Sequence, residues 1–228
     1  MSELNDIVAV GLDLKPQTLI RAYSEGVFPW PTPGLPLLWY SPGNRAILSF
    51  DRLHVPRRLK SYLRKNTWRY TVNQAFREVI EHCSLRGNEG TWILPEMKAA
   101  YTELHHLGHA HSVEVWEGAR LIGGLYGVDV AGTFAGESMF HLESHASKAA
   151  LLFIVSLLRQ SGRRFMDIQV MSEHMKAMGA HEISRAQFQA ELKNMKDLLK
   201  KFGPNLPFQL AQEKSDGFSF EDYCKFIV

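Results

Sequence analysis

The spacing of apolar residues along the chain changes character twice. Near the start, Pro16 to Glu25 carries a short helical pattern, with Asp13 just upstream and Gly26 placed as a C-terminal stop. The segment that follows, Phe28 to Pro42, is dense in proline and aromatic residues. It cannot be a helix interior and reads as an ordered loop feeding a strand near Ala46 to Phe50. Leu53 to Lys65 reads as a helix, and a small N-terminal lobe ends near Asn66. Beyond it, helices are expected over Asn73 to His82, with Asn73 as N-cap, and over Pro95 to Leu107, stopped by Gly108. Three β-like runs come next, Ala110 to Trp116, Arg120 to Val128 and Gly132 to Phe140, the first two joined by a Glu117-Gly118-Ala119 turn. A long apolar helix over Ser147 to Gln160 leads to a strand at Phe165 to Met171, and a short helix over Glu173 to Met178 ends at Gly179. An amphipathic helix over Gln187 to Lys201 precedes less periodic sequence. Helices beside a mainly antiparallel sheet predict an α+β (mixed α/β) fold. The expected division is a small N-terminal domain (1–66), a larger domain (67–190) and a helical C-terminal extension (191–228) with no assigned role.

Composition narrows the class without choosing a function. With 45% hydrophobic and 22% charged residues, the chain is an ordinary globular one. Its longest apolar run, Ala149 to Leu158, is about half the ~20 residues of a membrane span. The N-terminus carries acids where a secretory signal has a basic region, so no export is expected. Cys83 and Cys224 lie far apart without a CxxC pattern, which reads as idle thiols in a reducing cytoplasm. No long exposed apolar face stands out, and a monomer is expected. The net charge of +2 says little about partners, but its distribution says more. Arg52, Arg57, Arg58, Lys60, Arg64, Lys65 and Arg69 follow one another with no acid between them. Such a run is either a phosphate-contacting surface or a solvated helix face.

Candidate chemistry is sparse. Within Phe165 to Val170, strand alternation puts Asp167 and Gln169 on one face and Met166, Ile168 and Val170 on the other. A carboxylate beside an amide can fix that amide's orientation, leaving its oxygen to accept from an incoming amine; the alternative is a wet strand face. Glu137, among the small and apolar neighbours of Gly136 to Phe140, is a candidate for a partly buried acid or a plain surface charge. Trp30, Trp39 and Trp92 lie in or beside loops and could stack unpaired bases or fill a core. His105, His106, His109 and His111 invite a metal reading, but Gly108 interrupts the helix between His105 and His109 and no acidic or cysteine third ligand is near. No Walker loop, GxGxxG or GxSxG motif occurs.

Several of these stretches resemble one family in wording and order. Phe28-Pro29-Trp30, Leu38-Trp39-Tyr40-Ser41-Pro42, Gly90-Thr91-Trp92-Ile93, the run Leu107 to Tyr126, Gly136 to Phe140, Ala146-Ser147-Lys148 and Asp167-Ile168-Gln169-Val170 look like leucyl/phenylalanyl-tRNA–protein transferases over residues 10–190. The resemblance implies a small N-terminal domain joined to an acetyltransferase-like (GNAT-type) domain. It also implies transfer of leucine, phenylalanine or, less readily, methionine from aminoacyl-tRNA to proteins beginning with Lys or Arg, marking them for degradation. By resemblance, Asp167 and Gln169 take the catalytic positions, with Asp167 orienting Gln169, and Glu137 helps hold the acceptor's amino group. Leu125, Phe134, Met139 and Ile168 would line the aminoacyl pocket. Trp39 and Trp92 would pack on the terminal adenosine, and Arg57, Arg58, Lys60, Arg64, Lys65 and Arg69 would meet the tRNA body. An aminoacyl ester is already activated, so neither metal nor cofactor is expected.

Departures from the family pattern fall on the pocket and the acceptor side. His145-Ala146-Ser147-Lys148 stands where Asn-Ala-Ser-Lys is common, and Met171-Ser172-Glu173-His174 where Leu-Asn-Asp-His is usual. Ile168 replaces a commoner Cys, and Leu125 a commoner Met. Two rivals remain at this stage. An acyl-CoA-dependent N-acetyltransferase would want a glycine-rich pyrophosphate loop where His141 to Ser147 has no glycine. A non-catalytic tRNA-binding protein would use only the basic run and the tryptophans.

Overall fold

The computed structural model describes residues 4–32, 34–85, 91–202, 206–214 and 216–227. The fold is mixed α+β on two sheets. The smaller sheet is antiparallel, with strand order β1 (Ile7–Val10), β3 (Leu38–Tyr40), β2 (Phe28–Trp30), and helix α1 (Pro16–Ser24) between β1 and β2. The proline-rich segment expected as loop therefore contains two strands. Pro29 falls on β2, an edge strand, where proline is tolerated.

Seven further strands follow in the chain: β4 (Asn44–Ser49), β5 (Arg69–Val72), β6 (Ala110–Glu117), β7 (Arg120–Val130), β8 (Thr133–His141), β9 (Phe165–Gln169) and β10 (His181–Ser184). They form one sheet in the order β10-β4-β9-β8-β7-β6-β5, and every neighbouring pair is antiparallel except β8 with β9. That parallel pair is joined by helix α5 (Ala146–Gln160), the crossover such a pair requires. The expected division near residue 66 is not a division in the fold. β4 lies inside the large sheet, pairing with β9 and β10, and Leu59 and Leu63 of helix α2 (Arg57–Lys65) belong to the main core. Apolar pattern reveals a strand but not a partner more than a hundred residues away in the chain, as Ile47 is from Asp167.

Successive residues of β7 feed two cores on opposite faces of the sheet. Leu121 and Tyr126 join α1, α3 (Phe76–Ser84) and α4 (Pro95–His106), while Ile122 and Leu125 join α5. α5 is apolar nearly all round and buries 12 side chains. The sheet covers one side, and α8 (Leu206–Gln212) and α9 (Phe220–Cys224) of the C-terminal extension cover another. The N-terminal turn of α5 seats directly on β7, where a Cβ on Gly123 would lie 2.6 Å from Ala146 Cβ. The extension thus completes the core around α5, through Phe208, Phe220 and Tyr223.

Several boundaries differ from expectation for identifiable reasons. α2 starts only after Pro56, whose extended backbone serves as the cap. Asn73 is not an N-cap: it has φ +58°, and its side chain binds the Ser112 N–H at 2.9 Å and the His111 ring at 2.9 Å. The donors ahead of α3, Gln74 and Ala75 N–H, instead reach the fully buried carboxylate of Glu114 at 3.4 and 3.3 Å. The tail helix α7 spans Arg185–Phe202. Among the described residues no three His, Cys, Asp or Glu side chains group closely enough to hold a metal, and no helix is long and apolar enough to cross a membrane.

Candidate active site

β8 and β9 share one paired position, Ala135 opposite Asp167. Past it, toward the strands' C-terminal ends, lies a cleft of about 450 Å³. Its apolar wall is made by Leu125, Met139, Leu151, Met166, Ile168 and Met175. Glu137 and Gln169 supply polar groups from the two strands, and Trp30 and Trp92 border it from the small sheet and the loop before α4. Of the residues expected to line an aminoacyl pocket, Leu125, Met139 and Ile168 are in this wall. Phe134 is not: it is fully buried and packs on Phe208 of α8, ring centroids 5.6 Å apart.

Asp167 does not reach into the cleft. It is 2% exposed and forms a two-pronged ion pair with Arg45 of β4, Nε to Oδ1 at 2.8 Å and Nη2 to Oδ2 at 2.6 Å. Arg45 donates a third bond to the Gly26 carbonyl at 3.1 Å and lies between the Phe28 and Phe188 rings, 4.7 and 4.6 Å from their centroids. Every face of the guanidinium is thus occupied, which is what a buried charge requires. Asp167 Oδ1 also accepts from the backbone N–H of Gln169 at 3.0 Å. That bond helps hold Gln169 at φ +58°, an uncommon conformation for a residue with a Cβ, and β9 ends there rather than at Met171. Asp167 therefore orients Gln169 through its backbone and not through its amide.

The amide belongs to Glu137. Gln169 Nε2 donates to Glu137 Oε1 at 2.8 Å, leaving the amide oxygen as the end that can accept. Two phenols complete the surroundings. Tyr23 Oη of α1 lies 2.8 Å from Oε1, Tyr101 Oη of α4 lies 3.2 Å from Oε2, and the two phenol oxygens are 2.6 Å apart. Glu137 is half-buried, no cation among the described residues is bonded to it, and desolvation pushes its carboxyl up to about 7 despite the Tyr23 bond. Both phenols are held well above the usual tyrosine value, first by burial and then by the Glu137 charge.

The aromatic pair at the cleft differs from expectation. Trp39 is fully buried in β3, with no ring face open to solvent. Trp30 of β2, next in the chain to Trp39's cross-strand partner Pro29, is 38% exposed and stacks with Trp92, ring centroids 6.0 Å apart and planes inclined by 28°. Gly90, in the same motif as Trp92, lies outside the described residues. The basic run is exposed along α2 at Arg57, Arg58, Arg64 and Lys65, with Lys60 half-buried. Arg69 sits on β5, over the Trp116 ring at 5.1 Å. Sequence reasoning missed Arg45, Tyr23 and Tyr101. The tyrosines share helix faces with Leu19, Met97 and Leu104 and so read as core; only an arginine inside an apolar strand hinted at a buried partner.

Residues 47–193 match the family model described as leucyl/phenylalanyl-tRNA protein transferase, and residues 12–43 match the model of that family's N-terminal domain. A leucyl/phenylalanyl-tRNA–protein transferase of Nitratidesulfovibrio vulgaris is 52% identical over 187 residues, 81% of this chain and 80% of that protein. Those of Shewanella loihica (46% over 200 residues, 87% and 85%) and Shewanella denitrificans (45% over 196 residues, 86% and 84%) are similar in extent. The chain belongs to the leucyl/phenylalanyl-tRNA–protein transferase family. The break between the two family models, at residues 44–46, falls in β4, where the chain passes from the small sheet into the large one. A solved structure of a functionally unknown conserved protein from Staphylococcus epidermidis has a TM-score of 0.41 at 10% identity, covering 78% of this chain and 68% of that one, and bears on nothing further.

Proposed function

We propose that this transferase moves leucine, phenylalanine or methionine from aminoacyl-tRNA to the N-terminal amino group of proteins beginning with Lys or Arg, in the cytoplasm, and thereby marks them for degradation. The observation that carries the reading is the β8–β9 cleft, an apolar wall running up to the paired Glu137 and Gln169. The wall suits an unbranched or γ-branched apolar side chain and repels a charged one. Neighbouring sizes differ by only about 1–3 kcal/mol per methylene in such a pocket, so relaxed choice among the three is expected.

The chemistry needs placement more than activation. With Nε2 committed to Glu137, Gln169 offers its amide oxygen to the acceptor amine and aims the nitrogen at the ester carbonyl. The C–N bond forms, the C–O bond to the ribose breaks, and a proton passes from nitrogen to the departing ribose oxygen, directly or through water. Trp30 and Trp92 would hold the terminal adenosine, in place of the Trp39 and Trp92 pair expected from sequence, and the exposed cations of α2 would meet the tRNA body. The GNAT-type likeness enters as a proposal as well, supported by the parallel β8–β9 pair and its α5 crossover.

The test is transfer of labelled leucine from leucyl-tRNA to a peptide beginning with Arg. Transfer by the wild type and its loss in folded Gln169→Ala are expected. No transfer from leucyl-, phenylalanyl- or methionyl-tRNA to any N-terminal residue sinks the reading.

A further inference from the structure

We propose that Glu137 is the proton acceptor that converts the acceptor's ammonium into the attacking amine, with Tyr23 and Tyr101 bonded to its carboxylate oxygens and tuning how readily it takes the proton. This deepens the aminoacyl-transfer reading and rests on it, filling the step that precedes attack.

Near neutral pH an α-amino group is largely protonated, with an ordinary pKa of ~7.7–8.0, and an ammonium has no lone pair to attack with. Something beside the amine must take one proton. Gln169 cannot, because an amide is no base at this pH. Asp167 cannot, because both its oxygens are engaged by Arg45 and it is sealed from the cleft. Glu137 lines the cleft, one hydrogen bond from the Gln169 amide that receives the amine.

The oxygen geometry around Glu137 makes the same assignment by counting protons. Tyr23 and Glu137, Tyr101 and Glu137, and Tyr23 and Tyr101 form three oxygen–oxygen contacts of 2.8, 3.2 and 2.6 Å. Each contact needs a hydrogen between its oxygens, and each phenol supplies only one. With Glu137 ionised, one of the three contacts lacks a proton. A third proton, on the carboxyl, closes the ring. The triangle thus has room for the proton that Glu137 receives, while both phenols can donate to the carboxylate before it arrives. The groups facing Glu137 are Tyr23 from α1, Tyr101 from α4 and Gln169 from β9, with Asp167 raising and Arg45 of β4 lowering its proton affinity through space; His174 of the short helix α6 (Glu173–Ala177) lines the same cleft. Their balance leaves the carboxyl near 7, close enough to the amine for ready transfer in either direction.

Atoms balance in four moves. The Glu137 carboxylate takes one N–H proton from the ammonium, giving a carboxylic acid and a neutral amine. The nitrogen lone pair forms the C–N bond at the ester carbonyl. The C–O bond to the ribose breaks, and a second N–H proton ends on the ribose hydroxyl. Glu137 then returns its proton to water.

The experiment is kcat/KM for leucine transfer to an Arg-first peptide across roughly pH 5.5 to 8.5, a span that brackets the carboxyl's transition. The wild type should rise through a midpoint near 7. Tyr101→Phe and Tyr23→Phe each remove a donor that favours the carboxylate, so the midpoint should move to higher pH, whatever the height of the plateau. A purely structural role for the phenols would change the plateau and leave the midpoint in place. Glu137→Gln should lose this limb and slow transfer by about 10²–10⁴-fold at neutral pH. An infrared carboxyl band in the wild type that titrates near 7 is a second readout, independent of how Glu137→Gln folds. A midpoint unmoved in both tyrosine variants, or no carboxyl titrating near neutrality, overturns the proposal while leaving the transferase reading standing. Absence of transfer by the wild type at every pH overturns both.

Discussion

Asp167 and Glu137 are two carboxylates on neighbouring strands, and their surroundings are opposite in kind. Asp167 is sealed in the core, its charge matched by the Arg45 guanidinium through two bonds and one oxygen spent on the Gln169 backbone. Glu137 opens on the cleft, held by two phenols and an amide, with no cation among the described residues bonded to it. A matched buried pair fixes its carboxylate in place, whereas a desolvated carboxyl among neutral donors sits near 7. On the proposed reading Asp167 positions the site and Glu137 works in it, with Gln169 between them, its backbone tied to one and its amide to the other.

The comparison breaks most severely at Arg45. Arg45→Ala leaves Asp167 buried and unpaired and should lower stability by about 3–5 kcal/mol, read from urea unfolding. Replacing both partners together, as Arg45→Met with Asp167→Leu, should restore much of that stability without restoring transfer, because Gln169 loses the acceptor for its backbone N–H. A double variant with full activity would show that the pair serves stability alone.

Gln169 itself separates conformation from chemistry. Gln169→Ala should slow transfer by roughly 10²–10³-fold, the loss typical of one preorganised polar group. Gln169→Gly should lose transfer similarly yet be more stable than Gln169→Ala by about 1 kcal/mol, since glycine takes φ +58° without strain. Equal stability in thermal unfolding would mean the backbone is not strained there.

Smaller effects lie at the aromatic border and on α2. Trp30→Ala should raise KM for leucyl-tRNA about tenfold or more, from a stack worth ~1–3 kcal/mol, with little change in kcat. Trp39→Phe should lower the melting temperature without a matching rise in KM, because the ring it alters is in the core. Replacing Arg57, Arg58 and Arg64 by Gln should flatten the salt dependence of tRNA binding by up to about one unit of slope per lost phosphate contact. An unchanged slope would place the tRNA body elsewhere.

How much of this was readable in the chain follows from the range of the interactions. The β6–β7–β8 meander and the apolar helix α5 are local patterns, and the residues expected there are in place to within a few positions. β4 was visible as a strand, but its pairing with β9 and β10 depends on residues far along the chain, so the lobe boundary was misplaced. Strand alternation put Asp167 and Gln169 on one face, which hid the turn of the backbone at Gln169 and the partner Arg45. Trp30 and Trp39 lie one residue out of register on the paired strands β2 and β3, and no local pattern reveals which of them faces inward. Tyr23 and Tyr101 have the spacing of core residues and are core residues; only their hydroxyls reach Glu137.

The measurement that bears most directly on the two-carboxylate account is single-turnover transfer of labelled leucine from leucyl-tRNA to an Arg-first peptide at neutral pH. It compares the wild type with Glu137→Gln and Asp167→Asn, with rates expressed per folded molecule. Asparagine keeps an oxygen for the Gln169 N–H while losing the charge. The account predicts that Glu137→Gln slows the chemical step by about 10²-fold or more with tRNA binding intact, and that folded Asp167→Asn loses far less. Transfer abolished in folded Asp167→Asn but retained in Glu137→Gln would contradict it.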